Sequence, residues 1–469
     1  MKKITNLFIL TLLLFAVSSC KNDTNAPHEI IGVTPGIEEI AMGEAITFTC
    51  VIDDDDASDL TYQWETTGGG SFPGETNTQS VNWEAPLEKG DCEISVTVSD
   101  SEFTDDYSFT VTVKDPEETG EVAVGVYYYP WHGGDDFHGR NYLREHLVPP
   151  QLPALGEYND RESQVIKQHL DWSEYAGIDL WVSSWWGPGR MTDVTMKDYI
   201  LTRSDLGDMK IALFYETSGR VPDFTDLSNI RSDIEYMADN YFDHPNYFTI
   251  EGKAVLFVYL TRVLSSRGVL DDAVSIMRDA AANEGFELYI VGDQVFNQPP
   301  SSTDQIALLD AITNYDVYGS SGARIYATQS KVDAYYQAQA GWRTKAHAVN
   351  TSFIPATAPG FNDRGVRLQV DHKALSRKLS EDDAFGSLFQ AMVDQAVTLV
   401  DEETGNLFMV TSWNEWHEDT QIEPVAEAPA TSTDDSQSGN EYTNGVEYEG
   451  YGTRYLDILK ATVSESQPE

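Results

Sequence analysis

The sequence has few basic residues, few cysteines and few long apolar runs. Its 469 residues include 30 Lys and Arg against 77 Asp and Glu, which gives a formal net charge of -47. A field of this sign repels nucleic acids and anionic lipid surfaces, so neither is expected as a partner. The simplest interpretation of the charge is a solvated surface that keeps the protein soluble.

The longest apolar run lies at the start of the chain and has the composition of an export signal. Residues 1–20 place Lys2 and Lys3 before a short apolar stretch, and small residues precede Cys20. The run VSSC at 17–20 resembles a bacterial lipobox, which implies that Cys20 is lipidated. The alternative is an ordinary secretory signal with a chance cysteine. We therefore expect an exported bacterial lipoprotein at the outer membrane or cell surface, or facing the periplasm, that meets the membrane only through its lipid.

The next segments predict a tether and a small β domain. Residues 21–29 are polar and without pattern, as in a flexible linker. From 30 to 114, short strand-like runs alternate with Gly, Asp, Asn and Pro clusters, which predicts a β-sandwich. The acidic run 53–56 is interpreted as a solvated turn rather than a calcium loop. We expect this domain to act as a spacer, and glycan binding by it is the alternative.

The cysteines of this segment resemble those of immunoglobulin-like domains. Cys50, Trp64 and Cys92 follow the Cys, Trp, Cys order of that fold. Export makes a disulfide chemically possible, and the resemblance implies that Cys50 and Cys92 are paired. Two separate buried thiols are the alternative.

Beyond a polar hinge at 114–121 the pattern changes. Amphipathic helical stretches now separate eight β-rich runs, at 121–130, 178–186, 209–217, 253–260, 287–293, 311–318, 348–356 and 407–416. This alternation predicts a (β/α)8 barrel over 121–469. A doubly wound open sheet is the alternative, but no Gly-rich phosphate loop follows any strand. The predicted fold class is an all-β sandwich followed by a (β/α)8 barrel.

A pair of acidic residues follows the eighth run, in the stretch TSWNEWHEDTQIEP at 411–424. Glu415 and Glu418 are placed at the C-terminal strand ends, where barrel enzymes assemble their sites. Carboxylates among aromatic side chains suit glycoside cleavage: one protonates the departing oxygen, and the other attacks the anomeric carbon or removes a proton from the attacking group. Their mutual repulsion raises one pKa and keeps that group protonated. A solvated or helix-capping pair is the alternative.

Ligands for a metal are not grouped in the sequence. The nine histidines are scattered, and none is spaced with Cys or Asp as in a metal site. We therefore predict no metal site and no cofactor, while a cation in the barrel stays open.

Four motifs resemble glycoside hydrolase family 99, the endo-acting α-mannosidases. They are NEWHE followed by TQIEP, YYYPW after the first strand, VSSWWGPG after the second, and IPATAPGFNDRG after the seventh. The resemblance covers about 120–460. It implies that Glu418 is the acid/base and that Glu415 deprotonates the 2-hydroxyl of the substrate. That hydroxyl then attacks the anomeric carbon of its own sugar, and water opens the resulting 1,2-anhydro sugar with net retention.

The same resemblance implies further substrate contacts. The minus subsites would be lined by aromatic residues after the first two strands, namely Tyr127, Tyr128, Tyr129, Trp131, Trp185 and Trp186. Contacts near the cleavage point would come from Glu216 and Tyr318. Further substrate contacts are expected from Asp363 and Arg364 in the matching loop and from Trp413, Trp416 and His417 around the acidic pair, and Asn414 is expected to orient a glutamate or a sugar hydroxyl.

Three features depart from the family pattern, one of which is that the neighbours of Glu216 in FYET differ. Asp419 follows NEWHE where the family commonly has Gly, and residues 425–447 form a long polar insertion. The resemblance implies a monomeric, retaining endo-α-mannosidase, either an endo-α-1,2-mannosidase or a mannanase, that acts on mannan or high-mannose glycans. A non-catalytic glycan-binding lipoprotein and a barrel glycosidase acting on another α-glycan are the alternatives.

Overall fold

The computed structural model describes residues 28–466 except 38, 42, 44, 54–59, 87, 101, 115–121 and 135–136. The chain divides into two compact units, Met1–Glu118 and Thr119–Glu469. The predicted signal peptide with Cys20, most of the tether, most of the acidic run and nearly all of the hinge lie outside the described residues. Within the described part, no helix is long and apolar enough to cross a bilayer.

The described part of the first unit is all-β, as its alternating pattern predicts. Its strands form two sheets, ordered β1-β3-β5 and β2-β7-β6-β4. Inward side chains of both sheets share one core, in which the rings of Phe48 and Phe109 lie 5.0 Å apart. An immunoglobulin-like assignment for this unit stays a prediction. The strands are β1 (Glu29–Thr34), β2 (Glu39–Ala41), β3 (Ala45–Asp53), β4 (Thr61–Thr67), β5 (Ser80–Glu84), β6 (Gly90–Ser99) and β7 (Thr104–Lys114).

The predicted Cys50–Cys92 disulfide is absent, because both cysteines are free, buried thiols. Burial, and then the Asp105 carboxylate, raise the pKa of the Cys50 thiol to about 11. Cys50 lies toward the Asp105 end of the sandwich, because Ile30 N donates to Asp105 Oδ2 at 2.7 Å and Ile30 pairs with Ile52, two residues from Cys50. Asp105 pairs across the sheet with Val98, and Val98 stands several residues along β6 from Cys92. At about 3.3 Å per residue the two ends are roughly 20 Å apart, whereas a disulfide needs Cα atoms within about 7 Å.

The second unit is built on a parallel sheet whose strand order is β15-β14-β13-β12-β10-β9-β8-β17-β16, with β11 added antiparallel to β12. The strands are β8 (Ala123–Tyr128), β9 (Leu180–Trp185), β10 (Lys210–Tyr215), β11 (Thr249–Ile250), β12 (Lys253–Val258), β13 (Leu288–Asp293), β14 (Ala311–Thr313), β15 (Ser352–Phe353), β16 (Ala356–Thr357) and β17 (Leu407–Val410).

One short run closes this sheet into a barrel. β15 pairs with β14 and β16 pairs with β17, although both belong to the single stretch 352–357. Between them, Ile354 N donates to Ile312 O at 2.9 Å, and Met409 N donates to Pro355 O at 2.8 Å. Counting 352–357 as one strand, the described residues form a closed barrel of eight parallel strands. The predicted barrel of eight parallel strands is confirmed. Seven of the eight predicted runs contain their strand, and the strand 352–357 extends one residue beyond the predicted run 348–356.

Helices pack on the outside of the barrel. Helix α1 buries Val165, Ile166, His169 and Leu170, which recur at helical spacing, and ends at the left-handed Gly177. Between β13 and β14 the described chain makes only a 3₁₀ turn, Ile306–Leu308, where a helix is expected. The α-helices are α1 (Ser163–Ala176), α2 (Met191–Val194), α3 (Thr217–Arg220), α4 (Ile230–Met237), α5 (Thr261–Arg267), α6 (Leu270–Asn283), α7 (Val317–Ser321), α8 (Gln329–His347), α9 (Arg364–Arg367), α10 (Ser387–Ala396) and α11 (Arg454–Ser466).

The polar insertion at 425–447 is an ordered part of the barrel unit. It lies largely within an antiparallel hairpin of β18 (Val425–Thr431) and β19 (Tyr448–Gly452). The Asp434 carboxylate organises its tip by accepting the backbone N–H groups of Tyr442 and Thr443 at 2.7 and 2.9 Å. Apolar side chains of the hairpin, Val446 and Tyr448, pack in one cluster with Leu143.

Candidate active site

Glu415 and Glu418 lie on one 3₁₀ turn just after β17. Glu415 caps the turn Trp416–Glu418, and its side chain accepts the N–H of His417 at 3.0 Å. A 3₁₀ helix has about three residues per turn, so side chains three positions apart lie on the same side. This local geometry brings the predicted pair together without help from a second segment.

The Glu418 carboxyl lies between a cation and an anion. Its Oε1 accepts a hydrogen bond from Arg367 Nη1 at 2.8 Å, and its backbone oxygen accepts Asn362 N at 2.7 Å. Burial and the Glu415 charge raise the pKa of Glu418 to about 7, although the Arg367 guanidinium opposes them. A pKa of about 7 leaves a substantial protonated fraction of Glu418 near neutral pH, which an acid catalyst needs.

Glu415 is oriented by its own loop. Its backbone N–H donates to Ser412 Oγ at 2.8 Å, and its carboxylate lies 3.3 Å from His417 Nδ1. Burial alone would lower the pKa of His417, but the hydrogen bond to Glu415 and the Glu415 charge raise it. His417 Nε2 lies 3.1 Å from Arg140 O. His417 is therefore a hydrogen-bond partner of the acidic pair.

Glu216 is a third buried carboxyl near the acidic pair. It follows β10, is 3% exposed, and accepts a hydrogen bond from Ser184 Oγ at 2.6 Å. Trp186 Nε1 donates to the same Ser184 oxygen at 2.9 Å. Burial raises the pKa of Glu216 to about 8, Ser184 opposes the shift, and the charges of Glu415 and Glu418 add to it. Glu216 therefore lies near Glu415 and Glu418, and a shared site for the three carboxyls stays a prediction.

Aromatic side chains line the barrel beside the carboxyls. Tyr127 and Tyr129 belong to the inner core, and the Tyr129 hydroxyl lies 2.5 Å from that of Tyr315. Trp131 is half-buried at the mouth and stacks on His138, with ring centres 4.4 Å apart. Tyr127 is 0% exposed and packs against Phe214 at 4.7 Å inside the barrel, so its predicted substrate contact is wrong. The contacts predicted for Tyr129 and Trp131 stay predictions.

The structure places four other predicted contacts in packing outside the barrel. Tyr128 stacks on Trp181 at 4.4 Å, and its hydroxyl lies 3.0 Å from His169 Nδ1 on α1. Side chains alternate across a strand, so Tyr128 points away from the lumen that Tyr127 and Tyr129 face. For Tyr128 and three tryptophans, all at most 1% exposed, the predicted substrate contact is wrong: Trp185 donates to Asp193, Trp416 donates to Glu423, and Trp413 packs near His169.

A sequence profile decides the family. The profile of Glycosyl hydrolase family 99 matches residues 122–437, more than half of the chain. The chain belongs to glycosyl hydrolase family 99. It is therefore a glycoside hydrolase, as its motifs imply.

Relatives of this family 99 chain are distant. It is 22% identical over 350 residues to the glycoprotein endo-alpha-1,2-mannosidase of Rattus norvegicus, covering 66% of this chain and 69% of the relative. The protein of the same name from Mus musculus is 23% identical over 348 residues, with coverage of 66% and 69%. The solved GH99 endo-alpha-mannosidase of Bacteroides thetaiotaomicron is 22% identical, covers 73% of this chain and 97% of its own, and superposes with a TM-score of 0.51. That structure supports the fold.

The loop after the seventh strand serves the family 99 site through Arg367. Asp363 is fully buried, and its Oδ2 accepts from Arg367 Nη1 at 3.1 Å and lies 2.7 Å from His372 Nδ1. Arg364 donates to Glu441 O at 2.7 Å, which ties the loop to the hairpin. The Tyr318 hydroxyl donates to Lys373 O at 2.6 Å. The structure thus gives Asp363, Arg364 and Tyr318 roles in holding this loop.

Asn414 joins the loops after β17 and β8. Its Oδ1 accepts Tyr129 N at 2.7 Å, and its Nδ2 donates to Tyr129 O at 3.0 Å. The residue was expected to orient a glutamate or a sugar hydroxyl. In the structure its amide is committed to the backbone of Tyr129, so it fixes the loop that carries Glu415.

Two tyrosines that sequence reasoning missed lie near the acidic pair. Burial raises the pKa of Tyr315, with Tyr129, Glu418 and Glu415 adding to the shift. Burial also raises the pKa of Tyr259, followed by the charges of Asp293 and Glu418. A signal for Tyr315 was present, because it continues the inward alternation of β14 from Ala311.

The described residues of this family 99 chain offer no group of three or more His, Cys, Asp or Glu side chains that could hold a metal ion. The site chemistry described above uses carboxyls, one imidazole and hydroxyls.

Proposed function

We propose that the protein is a retaining, endo-acting α-mannosidase that cleaves internal α-mannosidic linkages of mannan or high-mannose glycans. The observation that carries this proposal is the pair Glu415 and Glu418 on one 3₁₀ turn, with the pKa of Glu418 raised to about 7. Membership of glycosyl hydrolase family 99 and relatives named endo-alpha-1,2-mannosidases support the sugar, the endo action and an α-1,2 linkage.

In the first step, the 2-hydroxyl of the bound mannose transfers its proton to Glu415. Its oxygen forms a bond to the anomeric carbon as the bond to the leaving sugar breaks, and Glu418 gives its proton to the leaving oxygen. An α-mannoside suits this step because its 2-hydroxyl lies trans to the leaving group. The product is a 1,2-anhydro sugar, so the enzyme needs no nucleophile of its own.

In the second step, water attacks the anomeric carbon and opens the anhydro ring. The Glu418 carboxylate takes the proton of the water, and Glu415 returns its proton to the 2-oxygen. Two inversions at one carbon give net retention. We propose that Glu216, whose pKa is raised by burial and by the charges of Glu415 and Glu418, contacts the same sugar.

The test is digestion of α-mannan and of α-mannooligosaccharides, followed by NMR of the earliest product. We expect internal cleavage and an α anomer that later equilibrates. An initial β anomer would contradict retention, and binding without cleavage would favour a glycan-binding protein. If the protein cleaved another α-glycan faster than α-mannosides, the proposed substrate would be wrong.

We also propose that the protein is an exported monomeric lipoprotein in which an immunoglobulin-like β unit holds the enzyme away from the membrane. The signal-like residues 1–20 and the lipobox-like run ending at Cys20 support this proposal. Growth with a radioactive fatty acid should label the protein, and Cys20→Ala should abolish the label. An unlabelled parent protein would remove the lipid anchor.

A further inference from the structure

Asp419 is a buried carboxylate whose two oxygens meet two different guanidinium groups. It is 1% exposed, its Oδ1 accepts from Arg144 Nε at 2.5 Å, and its Oδ2 accepts from Arg377 Nε at 3.3 Å. Arg377 Nη2 also donates to the backbone oxygens of Asp419 and Gln421, at 2.8 and 3.0 Å. Although burial raises the pKa of Asp419, the two guanidinium groups hold it below its usual range.

The two arginines come from separate segments of the barrel unit. Arg144 belongs to a 3₁₀ turn between β8 and α1, and it also donates to Gln151 Oε1 at 2.6 Å and to Glu449 O at 2.9 Å. Arg377 follows α9, and its guanidinium lies 4.9 Å from the ring of Tyr455. Both side chains are at most 2% exposed. Opposite charges interact most strongly in such a dry setting, so Asp419 is the point where these segments are held together.

Asp419 also ends the turn that carries the acidic pair. Its φ is 48°, in the left-handed region, and its N–H donates to Trp416 O at 3.4 Å. Glycine adopts this conformation at less cost, so the backbone does not explain an aspartate here. The carboxylate supplies what glycine lacks, because without it the buried guanidinium groups of Arg144 and Arg377 would lose their shared anion at the end of the turn that carries Glu418.

We propose that Asp419, held between Arg144 and Arg377, is a positioning residue that sets the placement of Glu418 for proton transfer. The inference rests on the proposed acid/base role of Glu418. A displacement of about 1 Å at a catalytic group can cost roughly 10²-fold in rate, so loss of the charge at 419 affects the step that needs the acid.

The experiment compares Asp419→Asn with the parent full-length protein on two substrates. The first is α-mannan, whose poor leaving group needs acid assistance. The second is an α-mannobioside with a nitrophenyl leaving group, for which the burst of nitrophenol release reports the first step with little need for acid. We expect kcat on mannan to fall about 100-fold with KM little changed. The nitrophenol burst rate should stay near that of the parent.

Asp401→Asn is the matched control. Asp401 is also 1% exposed and also accepts from two basic side chains, Arg343 at 2.7 Å and His347 at 2.8 Å, but it precedes β17 at the other end of the strand. For this variant we expect a lower melting temperature and the same fold-change in rate on both substrates. If Asp419→Asn lowers the rates on both substrates by the same factor, or changes neither rate, Asp419 is not a positioning residue.

Two further variants separate the possible failures. Arg144→Gln leaves a balanced pair of Asp419 and Arg377, so it should fold even if Asp419→Asn does not, and should show the same substrate dependence in weaker form. Glu418→Gln tests the proposed acid on its own. If Glu418→Gln loses no more activity on mannan than on the nitrophenyl substrate, the proposed function fails. If Glu418→Gln loses more activity on mannan than on the nitrophenyl substrate but the Asp419 and Arg144 variants do not, only the positioning role of Asp419 fails.

Discussion

At the scale of single residues, the chemistry depends on charges that act on Glu418 in opposite directions. Burial and Glu415 favour its protonated form, while Arg367 favours its carboxylate. The resulting pKa of about 7 lets one group serve as an acid in the first proposed step and as a base in the second. A similar balance acts on Asp419, where two guanidinium groups outweigh burial and leave the carboxylate charged.

The pH profile of kcat/KM on mannan should therefore fall on its alkaline side. Glu418 must be protonated to assist the leaving group, and with its pKa at about 7 the protonated fraction declines as the pH rises above that value. The measurement is kcat/KM against pH for mannan and for the nitrophenyl substrate. The limb should be weak or absent for the second substrate, and an alkaline limb near the ordinary glutamate pKa of about 4.3 would contradict the assignment.

Replacing Arg367 should move this limb to higher pH. Arg367→Met removes the guanidinium that lowers the pKa of Glu418 and leaves burial and Glu415 to raise it. The matched control is Lys373→Met, which removes a cation paired with Asp371 at 2.9 Å in the same loop. Its profile should keep the parent limb. A limb that moves to lower pH in Arg367→Met would show that Arg367 does not act on Glu418 as described.

At the scale of elements, the site is made by the segments that follow the strands. β17 ends at Val410, and the remainder of the predicted run, 411–416, forms the loop that enters the 3₁₀ turn of the acidic pair. The amide of Asn414 links that loop to the backbone after β8. The loops that follow the neighbouring strands β17 and β8 are thus joined by hydrogen bonds from a side chain to the backbone.

Asn414→Ala should lower both stability and activity. The change leaves the buried N–H and C=O of Tyr129 without partners, at a cost of about 1–3 kcal/mol in the free energy of unfolding. The measurement is thermal unfolding of the barrel unit together with kcat on mannan. Asn246→Ala is the control, because its amide donates to Gly207 O and Met209 O before β10, far along the chain from the acidic pair. That variant should lose stability and keep kcat, and an equal loss of kcat would count against a role for Asn414 in the site.

The positions of Cys50 and Cys92 in the sheets of the first unit predict that both can be alkylated without prior reduction. Cys50 and Cys92 are free thiols that lie toward different ends of the sandwich. In a chain with Cys20→Ser, alkylation of the unfolded protein without reductant should add two labels, as it does after reduction. If the unreduced protein gained no label and the reduced protein gained two, Cys50 and Cys92 would be shown to form a disulfide.

At the scale of the whole molecule, the β unit and the enzyme unit are consecutive segments of the chain. Every residue of the candidate site lies in Thr119–Glu469, which forms its own core. The predicted spacer role of the first unit requires nothing from it in catalysis.

The unit Thr119–Glu469 alone should therefore fold and cleave soluble α-mannooligosaccharides with the kcat/KM of the full chain. The physical reason is that its barrel closes through its own strands. Thermal unfolding and product analysis check this, with the full-length protein as control. A large loss of kcat/KM in a folded fragment would show that the β unit contributes to the site.

Several site residues were predictable because their signals are local. Glu415 and Glu418 stand three positions apart after a β-rich run, which is enough to place both on one turn at a barrel mouth. The eight runs gave the strand count, because apolar β-rich stretches alternate with helices. Contacts made between distant segments carry no such signal. Arg144 and Asp419 are 275 positions apart, and nothing in either local sequence announces their pairing.

The sequence by itself determined the two-unit order, the barrel and the acidic pair, since composition and periodicity are properties of short stretches. Only the tertiary structure decided which aromatic residues face the lumen and what partners Asp419 has. A parallel barrel strand is buried on both faces, so its sequence is apolar throughout and does not show which side chain points inward. Tyr127 and Tyr128 are identical in type and adjacent in the chain, and closure of the barrel assigned one to the lumen and the other to the helices.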